Sequence, residues 1–110
     1  SDILIYRLVY NLVENAIKYN HTGGQVTVTA DRKEKQVHLS VADTGNGIPE
    51  ELRERVFEPF FRVDKSRSRA LGGVGLGLAL VHEIVRVHDG SITVRSNPSG
   101  GTIFDVMFAQ

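Results

Sequence analysis

A carboxylate followed closely by two glycines opens the segment Asp43-Thr44-Gly45-Asn46-Gly47-Ile48-Pro49, a combination suited to reading a ligand. Glycine lets backbone approach a bound group with no Cβ in the way, and a carboxylate at that point accepts from an amino donor. The same residues also fit a plain Asp-Gly turn. A second segment, Gly72-Gly73-Val74-Gly75-Leu76-Gly77-Leu78, leads four glycines into a helix. Free main-chain N–H groups at a helix entry attract phosphate, although a glycine run also serves as a hinge. A third, NLVENAIKYN, sets Asn11, Glu14, Asn15, Lys18 and Tyr19 within ten residues that otherwise read as helix. At roughly 100° per residue, Asn11, Asn15 and Lys18 fall within about 40° of one another. An ordinary wet face with a Glu14–Lys18 i,i+4 pair explains that grouping as well.

Familiar phosphate and metal motifs do not account for these segments. A Walker loop ends in Gly-Lys-Ser or Gly-Lys-Thr, where this sequence has Gly77-Leu78-Ala79. The dinucleotide fingerprint needs a third glycine where Leu78 stands. Neither a His-Arg-Asp catalytic loop nor Asp-Phe-Gly is present, which excludes the eukaryotic-type kinase set. His82 and His88 lie on different helix faces, unlike the i,i+4 pair of a metallohydrolase.

The elements that must hold these residues follow from periodicity and breakers. Ile5, Leu8, Val9, Leu12, Val13, Ala16 and Ile17 have the spacing of an amphipathic helix, with the polar group of Asn11, Asn15 and Lys18 expected opposite the apolar stripe. After a turn at His21-Thr22-Gly23-Gly24, Val26, Val28 and Ala30 alternate with polar residues as in a half-buried strand. Val37, Leu39 and Val41 do the same beyond the charged turn 32–35, so the pair reads as a hairpin that delivers Asp43 at its end. Pro49 starts a short helix running to about Phe57, and a long Arg-, Lys- and Ser-rich segment of lid-like length follows. A helix over 75–88 and two closing strands, 91–97 and 102–108, complete the chain. There is no internal repeat.

Composition sets the outer limits. The 110 residues, 41% hydrophobic, suffice for one compact soluble domain with a single core. Thirteen basic residues balance thirteen acidic ones, so no global charge steers the chain to nucleic acid or an anionic membrane. The absence of cysteine excludes a disulfide framework and thiolate metal sites and suits a reducing cytoplasm. No apolar run approaches the roughly eighteen residues of a membrane span, so any membrane anchor of a parent protein is expected outside this chain.

In their order and spacing, NLVENAIKYN, DTGNGIP, FEPFFRVD and GGVGLGLAL closely resemble the N, G1, F and G2 boxes of the catalytic ATP-binding domain of bacterial sensor histidine kinases. The resemblance covers essentially the whole chain. It implies a two-layer α/β sandwich with a mixed, mostly antiparallel sheet, as in gyrase-type ATPases. It also implies a single domain, residues 1–110, from a longer kinase, because dimerisation helices and an acceptor-histidine motif are missing from the sequence. The resemblance makes Asn15 the Mg²⁺ ligand, supported by Asn11, and an amide oxygen suits that hard cation. It sends Lys18 and Arg62 to phosphate, lays Tyr19 against adenine and makes Asp43 the acceptor for the adenine amino group. Gly45, Gly47 and Ile48 then shape the base pocket, and Gly73, Gly75, Leu76 and Gly77 cradle the phosphate tail.

Phe57, Phe60 and Phe61 fit a lid base or core packing equally well, and Lys65, Arg67 and Arg69 fit a solvated basic loop better than phosphate ligands. His82-Glu83 lacks the Arg-Thr-Pro continuation of a phosphoacceptor motif. His88-Asp89-Gly90 departs from the family's frequent His-Gly-Gly, with Gly90 expected to supply a left-handed helix exit. The implied function is to bind Mg-ATP and supply the γ-phosphate to a histidine on a separate dimerisation/phosphoacceptor domain of the same kinase. The cognate response regulator of such a two-component system is then an indirect partner. Asn11 stands where gyrase-type hydrolases carry a glutamate that activates water, and an amide has no such basicity, which favours transfer over hydrolysis. Glu14 suits pairing with Lys18 better than a substitute base. A protein serine kinase of the same ATPase fold, and a nucleotide-gated interaction module without transfer, are the competing expectations.

Overall fold

The computed structural model describes residues 2–63 and 76–109. Helix α1 (Asp2–Lys18) carries an acid in its first turn and a lysine in its last, both favourable to the helix dipole. It leads into the hairpin β1 (Val26–Lys33) and β2 (Gln36–Asp43). Lys33 pairs with Gln36 across a two-residue loop, where Glu34 adopts a left-handed φ of 59°. Two 3-10 turns, Glu50–Leu52 and Arg55–Phe57, precede the undescribed residues. Helix α2 (Gly77–Val87) and the hairpin β3 (Ser91–Ser96) and β4 (Thr102–Ala109) follow.

The strands form one antiparallel sheet in the order β1-β2-β4-β3. Its alternation is visible in β2 and β4, where Leu39, Val41, Phe104 and Val106 are buried on the helix side. Ser40 and Asp105 point to the opposite face, where Ser40 Oγ donates to Asp105 at 3.0 Å and Arg95 Nε at 2.6 Å. Leu8, Leu12 and Ala16 of α1 and Val81, Ile84 and Val85 of α2 close the core against those four sheet residues. Each such large side chain removed from water contributes about 1.5–3 kcal/mol. The result is the expected two-layer α/β sandwich.

Several local expectations are corrected. On α1 the buried positions are Leu8, Leu12 and Ala16, and at about 100° per residue Asn15 lies only about 20° from Leu8. The asparagine face therefore flanks the buried stripe rather than opposing it, and Asn11, Asn15 and Lys18 are half-buried. β1 is largely exposed, Val28 at 46%, because it is an edge strand on which Val26 alone of the apolar residues packs against the core. The segment after Pro49 forms 3-10 turns, not an α-helix. At the end of α2 it is Asp89, φ 53°, that takes the left-handed position. Asp89 N donates to Arg86 O at 3.0 Å and Gly90 N to Val85 O at 2.9 Å, a Schellman closure. Gly90 is needed for another reason, since a Cβ there would collide with Met107 O and sit 3.0 Å from Phe108 Cβ.

Candidate functional site

A cavity of about 710 Å³ opens between α1, the loop after β2, the 3-10 turns and the start of α2. Alternation along β2 points Asp43 inward at the sheet's end, in series with Leu39 and Val41, so this carboxylate is only 6% exposed. Asp43 Oδ1 accepts from Gly45 N at 2.9 Å and from Thr102 N at 3.2 Å. Its other oxygen accepts no hydrogen bond from the described residues, and no buried side-chain nitrogen or oxygen among them lacks a partner. Oδ2 of this cavity-lining residue is thus the acceptor open to a ligand.

The loop that follows is fastened to the end of α1. Thr44 Oγ1 accepts from Gln25 N at 2.8 Å, and Asn20 Nδ2 donates to Gln25 O at 2.9 Å. Gly45 does not itself line the cavity. Its missing Cβ makes room for Tyr19 O, which brings the loop against the helix end. Gly47, φ 75°, does line it, as do Ile48 and Tyr19.

On the opposite wall α1 contributes Asn11, Glu14, Asn15 and Lys18. Asn11 Nδ2 donates to Arg7 O at 2.7 Å, and its Oδ1 would lie 3.1 Å from a Cβ on Gly77, so the α2 entry packs directly against it. The Asn15 amide makes no hydrogen bond with a described residue. Lys18 Nζ stands 4.0 Å from Glu14, the expected i,i+4 pair. Glu14 also accepts from the Tyr10 hydroxyl, and this hydrogen bond, aided by the carboxylate's charge, raises the Tyr10 pKa.

Leu76 and Gly77 line the cavity at the α2 entry, and Phe61 and Arg62 line it beyond the 3-10 turns. Gly73 and Gly75 lie outside the described residues, as do Lys65, Arg67 and Arg69. The three phenylalanines separate into distinct environments. Phe57 packs edge-on against Phe104 at 6.2 Å, Phe61 lies beneath the Arg55 guanidinium at 4.6 Å, and Phe60 is 68% exposed with a φ of 67°.

Thr102 and Phe104 also line the cavity, and neither was marked by sequence reasoning. Their i,i+2 spacing on a strand that follows Gly100-Gly101 was the available signal. Among the described residues no group of three or more His, Cys, Asp or Glu is arranged to hold a metal. A cation here would depend on the amide oxygens of Asn15 and Asn11 together with ligand phosphate. That donor set fits Mg²⁺, a hard ion that takes few protein ligands beside substrate oxygens.

The profile described as Histidine kinase-, DNA gyrase B-, and HSP90-like ATPase matches residues 1–110. Sensor histidine kinase RppB of Synechocystis sp. is 45% identical over 106 residues, 96% of this chain and 23% of its own length. Sensor-like histidine kinase SenX3 of Mycolicibacterium smegmatis is 46% identical over 107 residues, 97% of this chain and 28% of its own. Among solved structures, the mycobacterial sensor histidine kinase MprB superposes with a TM-score of 0.88 at 33% identity, over 99% of this chain and 74% of that one. Full-length ShkA in complex with AMPPNP gives 0.79 at 32% identity, over 97% of this chain and 22% of that one. The chain spans about a quarter of the length of the two curated relatives.

Proposed function

Because the chain belongs to the histidine kinase-, DNA gyrase B- and HSP90-like ATPase family and is a histidine-kinase-type ATPase domain, we propose that it binds Mg-ATP in the cavity and presents the γ-phosphate to a histidine on a separate dimerisation/phosphoacceptor domain. The observation that carries this reading is the pairing of two walls. One holds the Asp43 carboxylate with an oxygen that accepts no hydrogen bond from a described residue and opens to the cavity, and the other a row of amides and a lysine on α1. The first suits an adenine amino group, and the second suits phosphate with a hard cation. Full-length ShkA, a relative of the same fold, is solved in complex with AMPPNP, an ATP analogue.

In this reading Asp43 Oδ2 accepts from the adenine amino group and Tyr19 lies along the base, with Gly47 and Ile48 bounding the pocket. Lys18 and Arg62 meet the phosphates, and Leu76 and Gly77 cover the phosphate tail at the α2 entry, with Gly73 and Gly75 completing the cradle. Asn15 and Asn11 would hold the cation. When bound, Mg²⁺ would supply neutralisation of phosphate charge. Glu14 keeps Lys18 at the cavity wall.

Transfer forms a bond from a neutral imidazole nitrogen to the γ-phosphorus as the bond to the ADP oxygen breaks, and the imidazole proton is then lost. A neutral nitrogen nucleophile needs little base assistance, so the domain's task is positioning and electrostatics. Asn11 cannot activate water, so hydrolysis is slow. The domain is one module of a longer kinase, and the response regulator receives phosphate from the acceptor domain. Calorimetric titration tests the binding step. Mg-ATP is expected to bind with a Kd in the micromolar to millimolar range, about −4 to −8 kcal/mol, with affinity lost on chelating magnesium. Absence of binding up to several millimolar overturns the reading.

A further inference from the structure

The turn that joins β3 to β4, residues 97–101, holds Asp43 from two sides. Asn97 Nδ2 donates to the Asp43 main-chain oxygen at 2.8 Å, while Thr102 N, just past the turn, donates to Asp43 Oδ1 at 3.2 Å. Asn97 also builds the turn. Its Oδ1 accepts from Ser99 N at 3.1 Å, its main-chain oxygen from Gly100 N at 2.8 Å, and its own N–H donates to Gly101 O at 3.1 Å. Gly100 and Gly101 take φ values of 94° and 99°, open only to glycine at low cost. A Cβ on Gly101 would collide with Asp43 O and lie 2.7 Å from both Asp43 Oδ1 and Gly45 N. Gly101 O in turn lies 3.6 Å from where a Gly47 Cβ would stand. One short turn thus holds Asp43 and lies beside Gly47 at the other end of the loop.

We propose that Asn97 is a positioning residue for nucleobase selection: by fastening this turn to Asp43 it fixes the position and plane in which the carboxylate presents its free oxygen to the cavity. The proposal rests on the base-reading role of Asp43 given above. With Oδ1 held by two main-chain donors, only Oδ2 meets the base, and an oxygen that only accepts selects a base edge carrying an amino donor. Once the turn is released, the carboxylate loses its fixed plane and its hydrogen bond from an amino donor weakens, whereas an oxo-bearing base, which never made that bond, loses nothing.

The test uses the whole chain and three probes as magnesium complexes: ATP, inosine triphosphate, whose 6-oxo group replaces the amino donor, and tripolyphosphate, which has no base. Asn97→Asp keeps the acceptor that builds the turn and removes the donor to Asp43. Asn97→Ala removes the donor without adding charge, and decides the matter if the aspartate variant fails to fold. The expected result is an ATP affinity about 3- to 10-fold lower, the worth of one hydrogen bond, with inosine triphosphate and tripolyphosphate binding unchanged. The ATP-to-inosine-triphosphate ratio then narrows by the same factor. An unchanged ratio in a folded variant overturns the proposal, as does an equal loss for all three probes, which marks a general structural role. A wild-type chain that does not discriminate ATP from inosine triphosphate overturns the base-reading role of Asp43 itself. That result is distinct from a chain that discriminates whether or not Asn97 is present.

Discussion

Replacing Asp43 by asparagine separates what this carboxylate does for the fold from what it does for the ligand. Oδ1 accepts two main-chain N–H groups at 2.9 and 3.2 Å, and asparagine retains an oxygen for both. Those bonds change from charge-assisted to neutral, a loss of about 1 kcal/mol each. Relief of the cost of burying a charge at 6% exposure offsets part of it. The net expectation is a destabilisation of about 1 kcal/mol, which lowers Tm by roughly 4 °C in a domain of this size. The ligand effect is larger. The second oxygen becomes an NH₂ group that faces another amino donor on adenine, a mismatch of about 1–3 kcal/mol, or roughly 5- to 150-fold in affinity. A 6-oxo base such as guanine gains an acceptor–donor match at the same point. Calorimetric titration with Mg-ATP and Mg-GTP, beside thermal melts, reads both effects. A variant that keeps the wild-type ATP-to-GTP ratio, at whatever stability, refutes the assignment of Asp43 to the base.

Asn15→Ala removes a half-buried amide that has no hydrogen bond with a described residue, so Tm should hold within about 2 °C while the magnesium dependence of ATP binding is largely lost; titrations with and without chelator check this. Asp89→Gly should stabilise by about 0.5–1 kcal/mol by relieving a left-handed φ of 53°, whereas Gly90→Ala should destabilise by about 1–3 kcal/mol through its collision with Met107 O; paired denaturant melts should move in opposite directions. Partial burial alone would raise the Asp105 carboxyl pKa, but hydrogen bonds from Arg95 and Ser40 hold it below its ordinary value. Its folded pKa lies below the unfolded one, so its contribution is present above about pH 4 and fades as pH falls through the folded value. The stability gap between wild type and Asp105→Asn, followed by melts from pH 7 to pH 2, should shrink toward the acid end.

The parts of the molecule that depend on local signals were legible in the sequence. Helix α1 follows from its apolar spacing, and the β1–β2 hairpin from alternation around a charged turn. Asp43 stood out because a carboxylate at a strand end before Gly45 and Gly47 is a chemical oddity in a short distance. The faces were harder. Apolar spacing along α1 counted Ile17 with the core, yet it is 63% exposed, and including it rotated the inferred stripe away from Asn11 and Asn15. Nothing local marks β1 as an edge, since edge position depends on sheet order. The grip of residues 97–102 on Asp43 joins positions more than fifty apart in sequence, and no propensity reports such a contact. The Asp89 exit was misassigned to Gly90 because glycine has two uses, left-handed backbone and close approach, and here only the second applies.

The claim that the chain is a phosphoryl donor to histidine is tested most directly with γ-labelled ATP and magnesium. The chain is incubated alone and with the proposed dimerisation/phosphoacceptor domain as a separate piece. The chain alone should stay unlabelled. His88 Nδ1 is hydrogen-bonded to Ile84 O at 2.8 Å, and the His82 ring lies against Phe57 at 5.4 Å, so neither is presented to the cavity. The added domain should acquire label slowly, because tethering normally supplies a high effective concentration. That label should be lost in acid, as expected of phosphohistidine, and should not form with Asn15→Ala. Acid-stable labelling of a partner serine, or robust labelling of the chain by itself, would contradict the account.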